Sequence, residues 1–176
     1  MERKDTSIEG LVEIFPKIFP DERGIFFESY NKKKFEELGL DLNFVQDNMS
    51  KSKKGVLRGL HFQKAPYEQG KLVSVIQGKV LDIAVDIRKD SPTFGEYETF
   101  IIDGDRKNMV YIPEGMAHGF VALEEAILTY KCTNFYHKES ESGIIWNDKT
   151  LNIDWGLESP LISEKDLELP VFTDIF

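Results

Sequence analysis

At 176 residues and 41% hydrophobic composition, the chain is long enough for one domain with a substantial core. Its 31 acidic and 22 basic residues leave a net charge of −9, which repels a nucleic-acid backbone and argues against polymeric DNA or RNA as a partner. No apolar run approaches the roughly 18 residues of a spanning helix, and the charged start MERKDTSIEG lacks the apolar segment of a signal peptide. The single cysteine, Cys132, excludes an intrachain disulfide and a cysteine-rich zinc site. A cytoplasmic protein with no membrane association is expected, as one domain over residues 1–176.

Residues 8–30, IEGLVEIFPKIFPDERGIFFESY, read as two extended segments around a Pro-Asp-Glu-Arg-Gly turn, with Arg23 at the turn and Glu28 in the aromatic segment beyond it. NKKKFEELGL, residues 31–40, predicts a short helix capped by Asn31, with Phe35 and Leu38 on its inner edge and Gly39 as its stop. From Leu42 the pattern is β for about a hundred residues. NMSKSKKGVLRGLHFQ (48–63) opens polar and basic, with Lys51, Lys53 and Lys54 fitting a solvated loop, turns at Gly55, and continues as a strand. Strict alternation puts His61 and Gln63 on one face and Arg58 on the other, so a bulge near Gly59 is needed for all three to converge.

KLVSVIQ (71–77) and VLDIAVDI (80–87) follow as strands joined by a tight turn at Gly78. In the second, Leu81, Ile83, Val85 and Ile87 form an apolar face, while Val80, Asp82, Ala84 and Asp86 form a face directed to solvent or to a polar cavity. YETFII (97–102), NMVYIP (108–113), HGFVAL (118–123) and AILTYKCT (126–133) are further strands, and beyond Trp146 the tail reads as turns, loops and one short helix. Short strands, frequent turns and almost no helix predict an all-β fold, an antiparallel sandwich or barrel.

The three histidines carry the first chemical signal. Gly55, His61 and Gln63, followed by Pro113-Glu-Gly115 and His118, match much of the two-part metal pattern of cupin barrels, but Gln63 stands where a second histidine belongs. Even with Glu68 as carboxylate, that set is a poor one for zinc or iron, so no metal is expected. The layout still predicts a small barrel with His61 and His118 facing one interior. A histidine is the natural proton carrier near neutral pH and works best beside a carboxylate, for which Asp82 and Asp166 are both candidates. Lys71 or Arg58 would supply a cation for charge developing on oxygen, and Tyr130 or Tyr136 a second acid.

FPDERGIFFESY, FVQDNMSKSKKGVLRGLHFQ, GKLVSVIQGKVLDIAVDIRKDSPTFG, YIPEGMAHGFVAL, YKCTNFY, GIIWNDKTLNIDW and SEKD resemble, in order and spacing, the dTDP-4-dehydrorhamnose 3,5-epimerase family. The likeness runs from about Phe19 to Pro170. It implies a cupin-like jelly roll or β-barrel with short peripheral helices, a homodimer with exchanged strands, a dTDP-sugar substrate, and no metal or organic cofactor. His61 paired with Asp166 then looks like the base, with Asp82 still open as its alternative partner. Lys71 looks like the enolate stabiliser and Tyr130 the acid on the opposite face. By the same resemblance Arg23 and Arg58 hold the diphosphate, Glu28, Gln46 and Asn48 the nucleotide, and Gln63, His118, Tyr136 and Lys165 the sugar and phosphate side. Gly156, where relatives often carry proline, is the one departure noted. Single-site epimerases or ketoisomerases on related dTDP-sugars, a metal-dependent cupin enzyme, and a non-catalytic nucleotide-binding module are the competing readings.

Overall fold

A computed structural model describes all residues, 1–176. Thirteen strands and two short α-helices follow in order: β1 (Glu2–Asp5), β2 (Val12–Phe15), β3 (Phe19–Asp21), β4 (Gly24–Phe26), α1 (Lys32–Glu37), β5 (Gln46–Ser52), β6 (Leu57–Gln63), β7 (Lys71–Gln77), β8 (Lys79–Asp86), β9 (Tyr97–Asp103), β10 (Met109–Ile112), β11 (Met116–Ala122), β12 (Ala126–Cys132), β13 (Glu141–Gly143) and α2 (Glu164–Leu167). A six-stranded sheet, ordered β1-β2-β10-β7-β12-β5, faces a five-stranded one, ordered β13-β6-β11-β8-β9, with β3-β4 as a separate hairpin. The result is the expected jelly-roll arrangement of two antiparallel sheets. No helix is long and apolar enough to cross a membrane.

Apolar residues on both faces explain why the central strands β8, β10 and β11 are buried on both sides. In β8, Val80 and Ala84 enter the core between the sheets, beside Val73, Ile102, Ile112 and Phe120. Ile83 and Val85, on the opposite face, pack under the C-terminal tail with Leu151, Trp155 and Phe172. The outer face of the larger sheet is covered in turn by α1, whose Phe35 is fully buried against Val12, Ile14, Leu72 and Met109. Asn31 caps that helix by accepting from the Lys34 amide, and Gly39 follows it at φ 77°. The two carboxylates of β8 are both fully buried. Asp86 takes hydrogen bonds from Arg88, Ser91 and Thr93, which accounts for the SPTFG run, while Asp82 points to His118.

Two expectations change. Gly78 does not close a hairpin, because β7 and β8 lie in different sheets and the chain crosses the sandwich there. A side chain would not fit, since a Cβ on Gly78 would stand 2.2 Å from the Glu125 carbonyl oxygen. Lys51 lies in β5, paired to Glu125 at 2.9 Å, where a solvated loop was expected; only Lys53 and Lys54 follow the strand. Strands β1 and β13 are short and polar, with no alternating apolar face to betray them.

Candidate active site

Convergence of Arg58, His61 and Gln63 depends on the irregularity expected at Gly59. The β6–β11 register shifts between His118 and Phe120, and Gly59 sits at φ 123°. A Cβ there would stand 2.4 Å from the Cα of Gly119, so glycine on both strands lets the backbones approach this closely. The shift brings Arg58, His61 and Gln63 to one cavity of about 380 Å³ between the sheets. His61 and His118 reach it from the smaller sheet, Lys71 and Tyr130 from the larger, and Tyr136, Lys165 and Asp166 from the loop and tail at its mouth.

Asp166 settles beside His61. Its Oδ1 lies 2.9 Å from His61 Nε2, and its Oδ2 accepts from the Gly59 amide. Ser163 caps α2 by accepting from the Asp166 amide at 3.2 Å. Burial opposes ionisation of Asp166, but the hydrogen bond and charge of His61 outweigh it and hold the carboxyl below its ordinary value. An ionised Asp166 accepts Nε2–H, so the imidazole lone pair sits on Nδ1. Asp82 is not the partner of His61: its Oδ2 lies 2.7 Å from His118 Nε2.

Burial raises the Tyr130 phenol and lowers the Lys71 ammonium. At neutral pH the phenol is therefore a protonated acid, and Lys71 places its amino group in a part of the cavity where a positive charge, little screened by solvent, acts strongly on a substrate oxygen. Arg58 donates to Ser52 at 3.2 Å and keeps the rest of its guanidinium for the cavity. Gln63 lines the wall with its amide fully engaged: it donates to the Tyr67 and Phe135 carbonyls and accepts from the His137 amide. It fixes two loops. Glu68 lies outside the wall, and nowhere do three His, Cys, Asp or Glu side chains come together as a metal site would need.

Gln46 and Asn48 alternate on the same face of β5 as Ser50, which lines the cavity; neither lines it itself. Gln46 donates to Asn48 at 3.1 Å and accepts from the Tyr136 amide at 2.9 Å. Arg23 and Glu28 are not brought to the cavity by their own chain. Arg23 is 84% exposed on the β3–β4 hairpin, paired to Asp21 at 2.6 Å, and Glu28 is held by Lys34 and Asn31.

One residue was missed. Glu141 lines the cavity, accepting from Tyr136 at 2.9 Å and Lys165 at 2.8 Å. Burial opposes its ionisation, yet those two bonds keep it below the usual carboxylate range. In the run HKESES nothing separates Glu141 from the exposed Glu139; only its pairing opposite Gln63 does, and that is a tertiary fact.

A sequence model of the dTDP-4-dehydrorhamnose 3,5-epimerase family matches residues 5–174. The dTDP-4-dehydrorhamnose 3,5-epimerase of Shigella flexneri is 53% identical, over 96% of this chain and 94% of its own. The crystal structure of the enzyme of that name from Elizabethkingia anophelis superposes with a TM-score of 0.94 at 50% identity, covering 99% of this chain and 97% of its own. A dTDP-6-deoxy-D-glucose-3,5-epimerase from Legionella pneumophila, solved in complex with dTDP-4-keto-L-rhamnose, gives 0.95 at 49% identity, covering 99% and 94%. The fold, the cavity and these likenesses agree: the chain belongs to the dTDP-4-dehydrorhamnose 3,5-epimerase family, a family of isomerases.

Proposed function

We propose that this protein inverts C3 and C5 of dTDP-4-dehydro-6-deoxy-D-glucose to give dTDP-4-dehydro-L-rhamnose, a step of dTDP-L-rhamnose biosynthesis, without metal or organic cofactor. The C4 ketone acidifies the protons on both neighbouring carbons. His61 Nδ1 removes one of them, and the electron pair moves onto the C4 oxygen, where Lys71 meets the developing charge. Tyr130 returns a proton to the opposite face of the same carbon. The phenolate and imidazolium then reset with solvent, and the sequence repeats at the second carbon.

The observation that carries this reading is the placement of the two proton carriers: His61 enters the cavity from one sheet and Tyr130 from the other. Inversion needs a base and an acid on opposite faces of the sugar, and a sandwich with the substrate between its sheets supplies them. The ligand in the Legionella relative is the expected product. Arg58, Lys165 and His118 suit the phosphate and sugar oxygens, and Gln46 and Asn48, on the face of β5 that carries Ser50, suit the nucleotide.

Arg23 and Glu28 fit this reading if a second copy of the chain supplies them. The hairpin that carries Arg23 is uncovered and apolar, with Phe19, Ile25 and Phe26 about half exposed or more, so a homodimer exchanging strands would bury it and carry Arg23 to the neighbouring cavity. Catalysis in the cytoplasm, on a soluble nucleotide sugar, is part of the same proposal.

The test is incubation with dTDP-4-dehydro-6-deoxyglucose in D₂O followed by NMR of the sugar. Deuterium at both C3 and C5 with the L-rhamno configuration is expected. Deuterium at one carbon only would make the protein a single-site epimerase, and none would overturn the proposal.

A further inference from the structure

Two histidine–aspartate pairs lie at one cavity, and the proton transfers described above use only one of them. His118 stands opposite His61 across the β6–β11 ladder, and its carboxylate partner comes from the next strand, β8. This second pair is much the drier. The side chains of His118 and Asp82 are 8% and 0% exposed, against 33% for His61. A base that must reach a carbon acid needs the open position, whereas a group that stabilises charge on oxygen gains from the closed one. Asp82 also carries a buried side-chain oxygen, Oδ1, without a hydrogen-bond partner. A buried carboxyl oxygen placed so is costly, and an apolar residue among Val80, Ala84 and Phe120 would avoid the cost.

His118 gives that carboxyl a use. Its ring lines the cavity with His61, Lys71 and Tyr130, and Asp82 behind it is the side chain its Nε2 meets. The other carboxyls at the cavity are engaged elsewhere, Asp166 by His61 and Glu141 by Lys165 and Tyr136.

Resting on the epimerase reading, we propose that Asp82 is a positioning residue of the reaction, acting through His118 to turn its Nδ1 toward the sugar oxygens as the enolate forms. With Nε2 held by Asp82 at 2.7 Å, Nδ1 of His118 is the nitrogen left for the sugar. The site then divides into a proton-moving pair, His61–Asp166, and an orienting pair, His118–Asp82, beside Lys71.

Asp82→Asn keeps the shape and removes the carboxyl. With dTDP-4-dehydro-6-deoxyglucose as substrate, kcat should fall on the order of 10²-fold while KM stays within about threefold. His118→Gln should show the same split between kcat and KM, and the double variant should lose less than the product of the two separate losses, as two residues acting as one unit do; a merely structural role of Asp82 would leave the losses multiplicative. Should Asp82→Asn melt early, His118→Gln alone decides, since it leaves the carboxyl in place. A wild-type kcat in either variant, or multiplicative losses, would overturn the proposal. A wild-type protein inert toward this substrate would instead sink the epimerase reading on which it rests.

Discussion

The two histidine–aspartate pairs are made in opposite ways. His118 and Asp82 are 36 residues apart on neighbouring strands of one sheet, where Ala84 and Phe120 set the register and the core encloses them. His61 and Asp166 are 105 residues apart, and a four-residue helix in an irregular tail carries the carboxylate to the strand. The ladder makes the first pair as rigid as the sheet itself, whereas the second depends on how well the tail is docked. Function fits the division, since proton transfer needs an approachable base and charge stabilisation needs a fixed, dry one.

Removing the base should have the largest effect. His61→Ala should lower kcat by about 10²–10⁴-fold or more, with a modest fall in Tm because the buried Asp166 carboxyl loses its imidazole partner. Single-turnover epimerisation followed by NMR checks it, and dTDP affinity should stay near wild type. Tyr130→Phe sharpens the division differently. Without the acid, His61 can still remove a proton and return it to the same face, so deuterium should enter the sugar while inversion falls on the order of 10²-fold. Equal loss of exchange and inversion would show that Tyr130 does not act after the enolate.

Asp166→Asn tests the tail's contribution. It leaves His61 in place without its carboxylate, and kcat should fall about 10–10³-fold with little change in KM. The same variant reads stability. The folded Asp166 carboxyl is held below its ordinary value of 3.8, so its contribution is full above that value and is lost as the pH falls through the lower, folded one. The Tm gap between wild type and Asp166→Asn should therefore close as the buffer goes from about pH 5 to about pH 2. A gap that stays constant would mean that the carboxylate is not what His61 stabilises.

Subunit exchange probes what one chain cannot supply. If Arg23 serves the neighbouring cavity, Arg23→Ala and His61→Ala proteins, each nearly inactive, should regain activity on mixing, up to about a quarter of wild type for random dimers with one intact site of two. No recovery after proven exchange would place Arg23 in its own chain's site or in none.

How much of this was legible follows the same line between ladder and tail. The strands β6 to β12 were readable because alternation is local and repeats every two residues, and a bulge at Gly59 was demanded by three polar side chains in one strand. The helix around Phe35 carried its own cap and stop. Which aspartate meets His61 was open, because Asp82 and Asp166 both suit an imidazole and only tertiary packing separates them; the resemblance favoured Asp166 before the geometry did. Glu141, on a short polar strand, had no pattern at all. The crossing at Gly78 was hidden because a tight turn looks the same whether its strands pair or part.

Ser163→Ala should have the smallest effect, and it isolates the tail. Ser163 accepts from the Asp166 amide, and an N-cap serine is worth about 0.5–2 kcal/mol. Helix α2 is held from outside as well, by the Leu57 amide on the Leu161 carbonyl and the Ile145 amide on the Pro170 carbonyl, so losing the cap should loosen the helix without detaching it. The expected result is a fall in kcat of less than about tenfold, together with faster amide exchange in residues 163–168 and unchanged protection in β8 and β11. If β8 and β11 also lost protection, the tail would be a structural member of the sheet and the two pairs would rise and fall together. If exchange quickened only in α2 while kcat fell, the rate would be following the docking of Asp166, as expected for a base whose partner is delivered by the least regular part of the chain.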